Sequence, residues 1–268
     1  MTAANARPHV HGPSSSTDWQ QRVAHAFSRA APRYARLAEA QRAMGERLWS
    51  RLPDRAQHIL DLGCGPGHWS VRLAGRYHKG GRVIGLDLAP GMLEEAHQRH
   101  GHRAHWLCAD AAALPLPDAG LDLVFSNLAL QWCPDLEAVL AELHRVLRPG
   151  GRALINTLMP GTLAEVSKAW SRPSQPAALL PFHASDHHHR AARLAGFSRI
   201  GVGATTQRFH YPDLAAVMSS IKGVGAQAAR GAGLTRADLA RATRRYEALR
   251  EPAGLPVTYH LLTLELER

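Results

Sequence analysis

Apolar positions along the chain recur in two alternating rhythms. Short runs such as Ile59–Leu62 and Arg82–Asp87 are nearly continuous in apolar and β-branched residues, as expected for strands buried on both faces. Between them lie segments with helical spacing. The clearest has Leu136, Val139, Leu140, Leu143, Val146 and Leu147 at i, i+3, i+4, i+7 intervals, stopped by Arg148-Pro149-Gly150-Gly151. Further strands are expected at about 104–109, 121–126, 152–158, 198–209 and 257–265. Strand–helix alternation from 58 to 158 predicts an α/β fold, a Rossmann-like and mostly parallel sheet of seven strands with the last one antiparallel. Ahead of this core, helices are expected over 18–31, with Asp18 as N-cap, and over 37–52, where Leu37, Met44, Leu48 and Leu52 share a face. Behind it, Pro173, Pro176 and Pro181 interrupt a loop that leads to a short helix near 184–195. Residues 212–250 read as a helical lid inserted before the final strand. Residues 1–17, rich in Ser, Gly and Pro and without apolar period, read as a disordered tail. The expected organisation is that tail and one domain over 18–268: a helical cover (18–52), a core (58–158) and a substrate-side region (159–268).

The strand ends concentrate the chemistry. Asp61 precedes an alternating glycine loop, Gly63-Cys64-Gly65-Pro66-Gly67, and a helix-compatible segment follows. A strand, a tight turn and a helix start bring backbone N–H groups against a nucleotide-like ligand. A dinucleotide loop would be G-x-G-x-x-G, whereas His68 stands where its third glycine would be. Asp61 repels a pyrophosphate but attracts an ammonium, which favours S-adenosylmethionine over a nicotinamide dinucleotide. Asp87 ends the second strand 20 residues beyond Gly67, suited to gripping ribose hydroxyls, with Leu88 beside it and Met92 in the next helix to pack on the adenine. Asp110 and Ala111 end the third strand, and Asn127 and Leu128 the fourth.

Asp-Leu-Gly-Cys-Gly-Pro-Gly (61–67), Gly-Leu-Asp-Leu-Ala-Pro-Gly-Met-Leu (85–93), Ala-Asp-Ala (109–111), Leu-Pro-Leu-Pro-Asp (114–118) and Leu-Arg-Pro-Gly-Gly (147–151) together resemble the class I S-adenosylmethionine-dependent methyltransferases. The likeness extends over about residues 20 to 264. Three further segments are similar to one family within that class, the malonyl-acyl carrier protein O-methyltransferases of biotin synthesis. They are Ala-Phe-Ser-Arg-Ala-Ala-Pro-Arg-Tyr (26–34), Ser-Asn-Leu-Ala-Leu-Gln-Trp-Cys (126–133) and Ser-Ile-Lys-Gly-Val-Gly-Ala (220–226), the likeness being looser from about residue 170 onward. This resemblance implies transfer of a methyl group from S-adenosylmethionine, leaving S-adenosylhomocysteine, to the free carboxylate of a malonyl thioester on carrier protein or CoA. It also implies catalytic candidates: Tyr34, closing the pocket, and Gln131 and Trp132, facing the methyl group. Arg208 and Lys222 are lid-side cations for the substrate. Trp132 is equally readable as core, and the two cations as solvated surface charges.

Charge changes the picture in one respect. The net charge of +10 favours encounter with acidic partners, among them an acidic carrier protein approached through Arg29, Arg33 and Arg172. A quinone or other small-molecule methyltransferase would share the whole cofactor half. A basic nucleic-acid binder would explain the charge, but no basic-aromatic strip accompanies it, so no nucleic-acid partner is expected. No apolar run is long enough to span a membrane. Three scattered cysteines (Cys64, Cys108, Cys133) without metal spacing fit reduced thiols in the cytoplasm, a monomer is expected, and His187-His188-His189 reads as a surface stretch with no metal expected.

Overall fold

The computed structural model describes residues 16–172, 177, 179–221 and 235–268. One seven-stranded sheet runs in the order β3-β2-β1-β4-β5-β7-β6, with β1 His58–Leu62, β2 Arg82–Asp87, β3 His105–Cys108, β4 Leu121–Asn127, β5 Leu147–Leu158, β6 Arg199–Tyr211 and β7 Leu255–Glu267. β7 is antiparallel to both its neighbours, and the other pairings are parallel. The helices are α1 Ser16–Leu37, α2 Glu39–Trp49, α3 His68–Arg76, α4 Pro90–His100, α5 Leu136–Val146, α6 Ala164–Trp170, α7 Ser185–Leu194, α8 Leu214–Ile221 and α9 Arg236–Glu247. None of the described helices is long and apolar enough to cross a membrane.

The near-continuous apolar strands are buried on both faces because helices cover both. On β4, Val124 joins one core with Leu60 and Leu62 of β1 and the inward face of α5. Its neighbours Leu123 and Phe125 point the other way, into a core with Ile59, Trp69, Leu73 and Leu48. A third core lies beneath α8 and α9, where Met44, Leu163, Val217, Tyr246 and Tyr259 pack together. The switch point of the sheet, where β1 has β2 on one side and β4 on the other, therefore opens at the carboxyl strand ends.

Several boundaries move. Helix α1 continues through Pro32 to Leu37, although proline lacks the N–H that would bond the Ser28 carbonyl. Burial of Val23 and Ala31 holds the helix despite that loss. Helix α6 has no counterpart in the expectation; Val166 and Ala169 are its inward face. Residues 148–151 do not lie between α5 and β5 but within the start of β5, where Gly150 (φ 76°) donates to the Arg268 carbonyl at 2.8 Å and Arg268 N donates back to Gly151 O at 3.0 Å. The chain's last residue thus clamps the turn. The segment expected as a lid contains α8 and α9, and residues 222–234 between them lie outside the described residues, as does the tail over 1–15; residues 16 and 17 open α1.

Candidate functional site

The glycine loop is locked onto the end of β2. Gly63 N and Cys64 N both donate to Leu86 O, at 2.8 and 2.9 Å, and Gly65 N donates to Asp87 Oδ2 at 2.9 Å. Gly63, Gly65 and Gly67 have φ of 71°, 53° and 82°, a left-handed run that side chains disfavour, and Gly67 opens α3. Asp87 Oδ1 accepts from Ala89 N at 2.9 Å. Backbone N–H groups thus reach both Asp87 oxygens, which keep lone pairs for further donors. Burial nevertheless raises its pKa above the ordinary carboxylate value, the three backbone N–H groups opposing this.

Helix α1 forms the roof over this floor. Gln20, Val23, Phe27 and Tyr34 share its inner face and line the same cavity as Gly63, Gly65, Asp87, Leu88, Met92, Asp110, Ala111, Asn127, Leu128 and Trp132. Gln20 Nε2 donates to Asp110 Oδ2 at 2.7 Å, while Asp110 Oδ1 accepts from Ala112 N at 3.0 Å. Trp19 Nε1 donates to Trp132 O at 3.0 Å, and Phe27 meets the Trp132 ring edge-on at 4.9 Å. The Trp132 Nε1 is buried and has no protein partner. On the other side of the roof, Ser28 Oγ accepts from Gly91 N at 3.1 Å. A Cβ on Gly91 would stand 2.8–2.9 Å from Ser28 Cβ, Cα and O, so glycine is what lets α1 lie against α4. Burial, with Asp87 adding to it and Arg42 opposing, pushes the Tyr34 hydroxyl up to about 12, which keeps it protonated. The same combination of burial and acidic neighbours pushes Cys133 up to about 12.

The structure keeps four sequence candidates out of this cavity. Asp61 is sealed beneath the glycine loop, 1% exposed, and accepts from Ser70 Oγ at 2.5 Å. Burial raises its pKa to about 7, so it is only partly ionised at neutral pH. Gly67 serves the helix start. Gln131 turns towards the sheet: its Nε2 donates to Leu128 O at 2.7 Å and its Oε1 accepts from Thr157 Oγ1 at 3.3 Å. It thereby holds Leu128, whose φ of 62° is strained for a side-chain-bearing residue. Arg208 lies on β6 and is engaged by Glu251 at 2.7 Å and Glu165 at 3.6 Å, with Thr258 as a further partner. Lys222 lies outside the described residues. Of the cations considered for docking, Arg172 is taken by Asp238 at 2.5 Å, whereas Arg29 and Arg33 are exposed on α1. The histidine tract opens α7, where His187 stacks on His183 at 4.3 Å and faces Glu137 at 3.5 Å; among the described residues no group of side chains could hold a metal.

Sequence reasoning passed over Gln20, Val23 and Phe27. Their signal was the i, i+3, i+7 spacing on α1, which marked an inward face without saying what it faced. It also passed over Gln41 and Asn156. Asn127 Nδ2 donates to Gln41 O at 3.0 Å, Asn156 Nδ2 donates to Met44 O at 3.0 Å and to Asn127 Oδ1 at 3.3 Å, and Thr263 Oγ1 donates to Asn156 Oδ1 at 2.7 Å. This buried network fastens α2 to the carboxyl ends of β4 and β5 and, through Thr263, to the middle of β7.

Strand order, glycine loop and strand-end acids define a class I methyltransferase. A family profile described as a methyltransferase domain matches residues 59–151. Among solved structures, the YcgJ protein of Bacillus subtilis superposes with a TM-score of 0.60 at 17% identity, covering 85% of this chain and 98% of that one. A Haemonchus contortus phosphoethanolamine N-methyltransferase bound to S-adenosylhomocysteine reaches 0.60 at 19% identity, covering 96% of this chain and 60% of that one. At these identities the likeness concerns the fold. In sequence, the chain is 39% identical over 248 residues to the malonyl-acyl carrier protein O-methyltransferase of Dechloromonas aromatica, covering 91% of this chain and 92% of the relative. It is 39% identical over 247 residues to that of Serratia marcescens, covering 90% and 93%. It is also 38% identical to the bifunctional biotin biosynthesis protein BioHC of Cellvibrio japonicus, of whose length it spans 50%. The chain belongs to the malonyl-acyl carrier protein O-methyltransferase family.

Proposed function

We propose that this protein uses S-adenosylmethionine to methylate the free carboxylate of a malonyl thioester carried on acyl carrier protein, in biotin biosynthesis. The observation that carries the cofactor half is the paired backbone donation to Asp87 from Gly65 and Ala89, which presents two carboxylate oxygens at the strand end for a vicinal diol. Asp110, oriented by Gln20, and Met92, buried at the cavity wall, suit an adenine edge and face. The cofactor, when bound, supplies a sulfonium-activated methyl group.

The chain supplies binding, alignment and exclusion of water. A carboxylate nucleophile is ionised at neutral pH and needs no general base. It needs donors that hold it without taking its attacking lone pair. The Tyr34 hydroxyl, protonated throughout the physiological range, is such a donor, and the roof of Phe27, Tyr34 and Trp132 keeps bulk water from the reacting atoms. Lys222 remains a substrate-side cation on the strength of the sequence. Arg29 and Arg33, on the outer side of the roof helix, together with the net charge of +10, favour an acidic acyl carrier. The protein is taken to act in the cytoplasm, as a monomer.

The test is incubation with methyl-labelled S-adenosylmethionine and malonyl-carrier protein, with acetyl-carrier protein and malonyl-CoA alongside. Base-labile label on the malonyl carrier and none on the acetyl carrier is the expected result. Cofactor binding without label on either malonyl form would refute the carboxylate reading and leave a small-molecule methyltransferase.

A further inference from the structure

A second cavity adjoins the first across Tyr34, Gly63, Gly65 and Asn127, which line both. Its own walls include Gln41 and Arg42 of α2, Cys64 of the glycine loop and His68 at the first turn of α3. Two buried polar atoms there lack any hydrogen-bond partner: Gln41 Oε1 and His68 Nε2. The Gln41 side chain is 5% exposed, and its orientation is set by its other end, since Nε2 donates to the carbonyl of Ser220 at 3.1 Å. Oε1 is then an acceptor without a donor. Such an atom is unfavourable unless a ligand or water completes it.

The chemistry of the walls says what completes it. The malonyl group itself, a carboxylate and a thioester carbonyl, offers only acceptors, so it cannot satisfy Gln41 Oε1. The zwitterionic tail of S-adenosylmethionine or S-adenosylhomocysteine offers an α-ammonium, three donors on one nitrogen, and a carboxylate suited to the Arg42 side of the cavity and the start of α3. Asp61, the acid that the sequence offers for the ammonium, is sealed against Ser70. Ser220, meanwhile, belongs to α8, the first helix of the lid, and is itself buried.

We propose that Gln41 is a positioning residue that receives the cofactor's α-ammonium on Oε1 while holding the lid helix α8 through Nε2, so that cofactor and lid stabilise one another. This rests on the cofactor half of the proposed function and not on the identity of the methyl acceptor. The coupling is reciprocal by linkage: a bound amino-acid tail fixes the Gln41 rotamer that α8 requires, and a docked α8 fixes the rotamer that the tail requires.

The experiment compares S-adenosylhomocysteine with 5′-methylthioadenosine, which has the nucleoside but no amino-acid tail. Binding is read by calorimetry, and amide hydrogen exchange is read over Leu214–Ile221. In the unaltered protein S-adenosylhomocysteine slows exchange in α8 and methylthioadenosine does not. Gln41→Ala weakens S-adenosylhomocysteine about 10- to 100-fold, the range of one charge-assisted hydrogen bond, and changes methylthioadenosine by less than about threefold. Gln41→Glu keeps the acceptor and loses the donor, so it retains the preference for the tailed nucleoside but no longer transmits it to α8. Equal weakening of both nucleosides in Gln41→Ala would reduce the residue to a structural role and overturn the proposal. So would unchanged α8 exchange in the unaltered protein, a result that needs no variant to fold. Failure to methylate the malonyl carrier would leave all these outcomes standing, whereas failure to bind either nucleoside would remove the cofactor reading and this proposal together.

Discussion

Two identical chemical changes, Gly91→Ala and Gly75→Ala, should have opposite effects. At Gly91 the new methyl group would meet Ser28 Cβ at 2.8 Å and Ser28 Cα and O at 2.9 Å, where ordinary contact begins near 3.4 Å. Two of these atoms are backbone, so a rotamer change cannot relieve the clash, and α1 must withdraw by roughly half an ångström or more. Withdrawal strains or breaks the 3.1 Å bond from Gly91 N to Ser28 Oγ, worth about 0.5–1.5 kcal/mol, and overpacking of this kind costs about 1–3 kcal/mol. Less the small helical gain of alanine over glycine, the docked roof loses about 1–4 kcal/mol, equivalent to roughly 5- to 700-fold in cofactor affinity. At Gly75, inside α3 and exposed, an added Cβ meets nothing within 4 Å and the backbone is helical. That substitution should stabilise the fold by about 0.5–1 kcal/mol and leave cofactor affinity unchanged. Calorimetric binding of S-adenosylhomocysteine, urea denaturation and hydrogen exchange over Ser16–Leu37 give the readouts. If Gly91→Ala bound the nucleoside normally with α1 still protected, the roof would not be part of the site. If the two variants shifted stability alike, the contact argument itself would fail.

Asp87→Asn should weaken S-adenosylhomocysteine about 10- to 100-fold and cost about 1–3 kcal/mol of stability, because the amide accepts from only one of the two backbone N–H groups and turns its own donors on the other and on the diol; unchanged affinity in calorimetry would disprove the assignment. Tyr34→Phe should lower kcat about 10- to 100-fold, and since the hydroxyl is held near 12, the pH–rate profile of the unaltered protein should show no tyrosine limb below about pH 10. A limb at pH 8–9 that disappears in the variant would contradict the burial argument. Asp61 tests linkage: its folded pKa of about 7 lies above the unfolded 3.8, so its contribution is fully present below that unfolded value and is lost as pH rises through the window to about 7. Asp61→Asn should therefore flatten stability between pH 4 and 7 and gain about 2–4 kcal/mol over the native protein at pH 8 relative to pH 4, measured by urea midpoints; an unchanged pH slope would show that Asp61 is not protonated by folding.

The sheet and its nucleoside-binding edge were legible because they rest on short-range rules. Strands buried on both faces must be apolar throughout, a strand-to-helix turn that presents N–H groups needs glycine, and the acids that matter stand at strand ends. Hence Asp87, Asp110, Met92 and Asn127 could be named from spacing alone, and all four line one cavity. Spacing could not tell which strand-end acid is covered. Asp61 has the same local signature as Asp87, but only the packing of Ser70 on it, from α3, makes one a sealed acid and the other an open one. Gln131 was marked by sequence as a substrate-facing amide, yet the strained backbone of Leu128 turned it inward. Arg208 was marked as a lid-side cation, yet the β6–β7 pairing, with Arg208 opposite Thr258, sets it among Glu165 and Glu251. The role of Gln41 lay outside local pattern altogether. Its backbone carbonyl is held by Asn127, 86 residues away, and its side chain by Ser220, 179 residues away. Local sequence determined which groups stand at the strand ends. Only the packing of α1, α2 and α3 around those ends decided which of them remain open to a ligand, because burial and partner choice depend on residues the chain brings together from far apart.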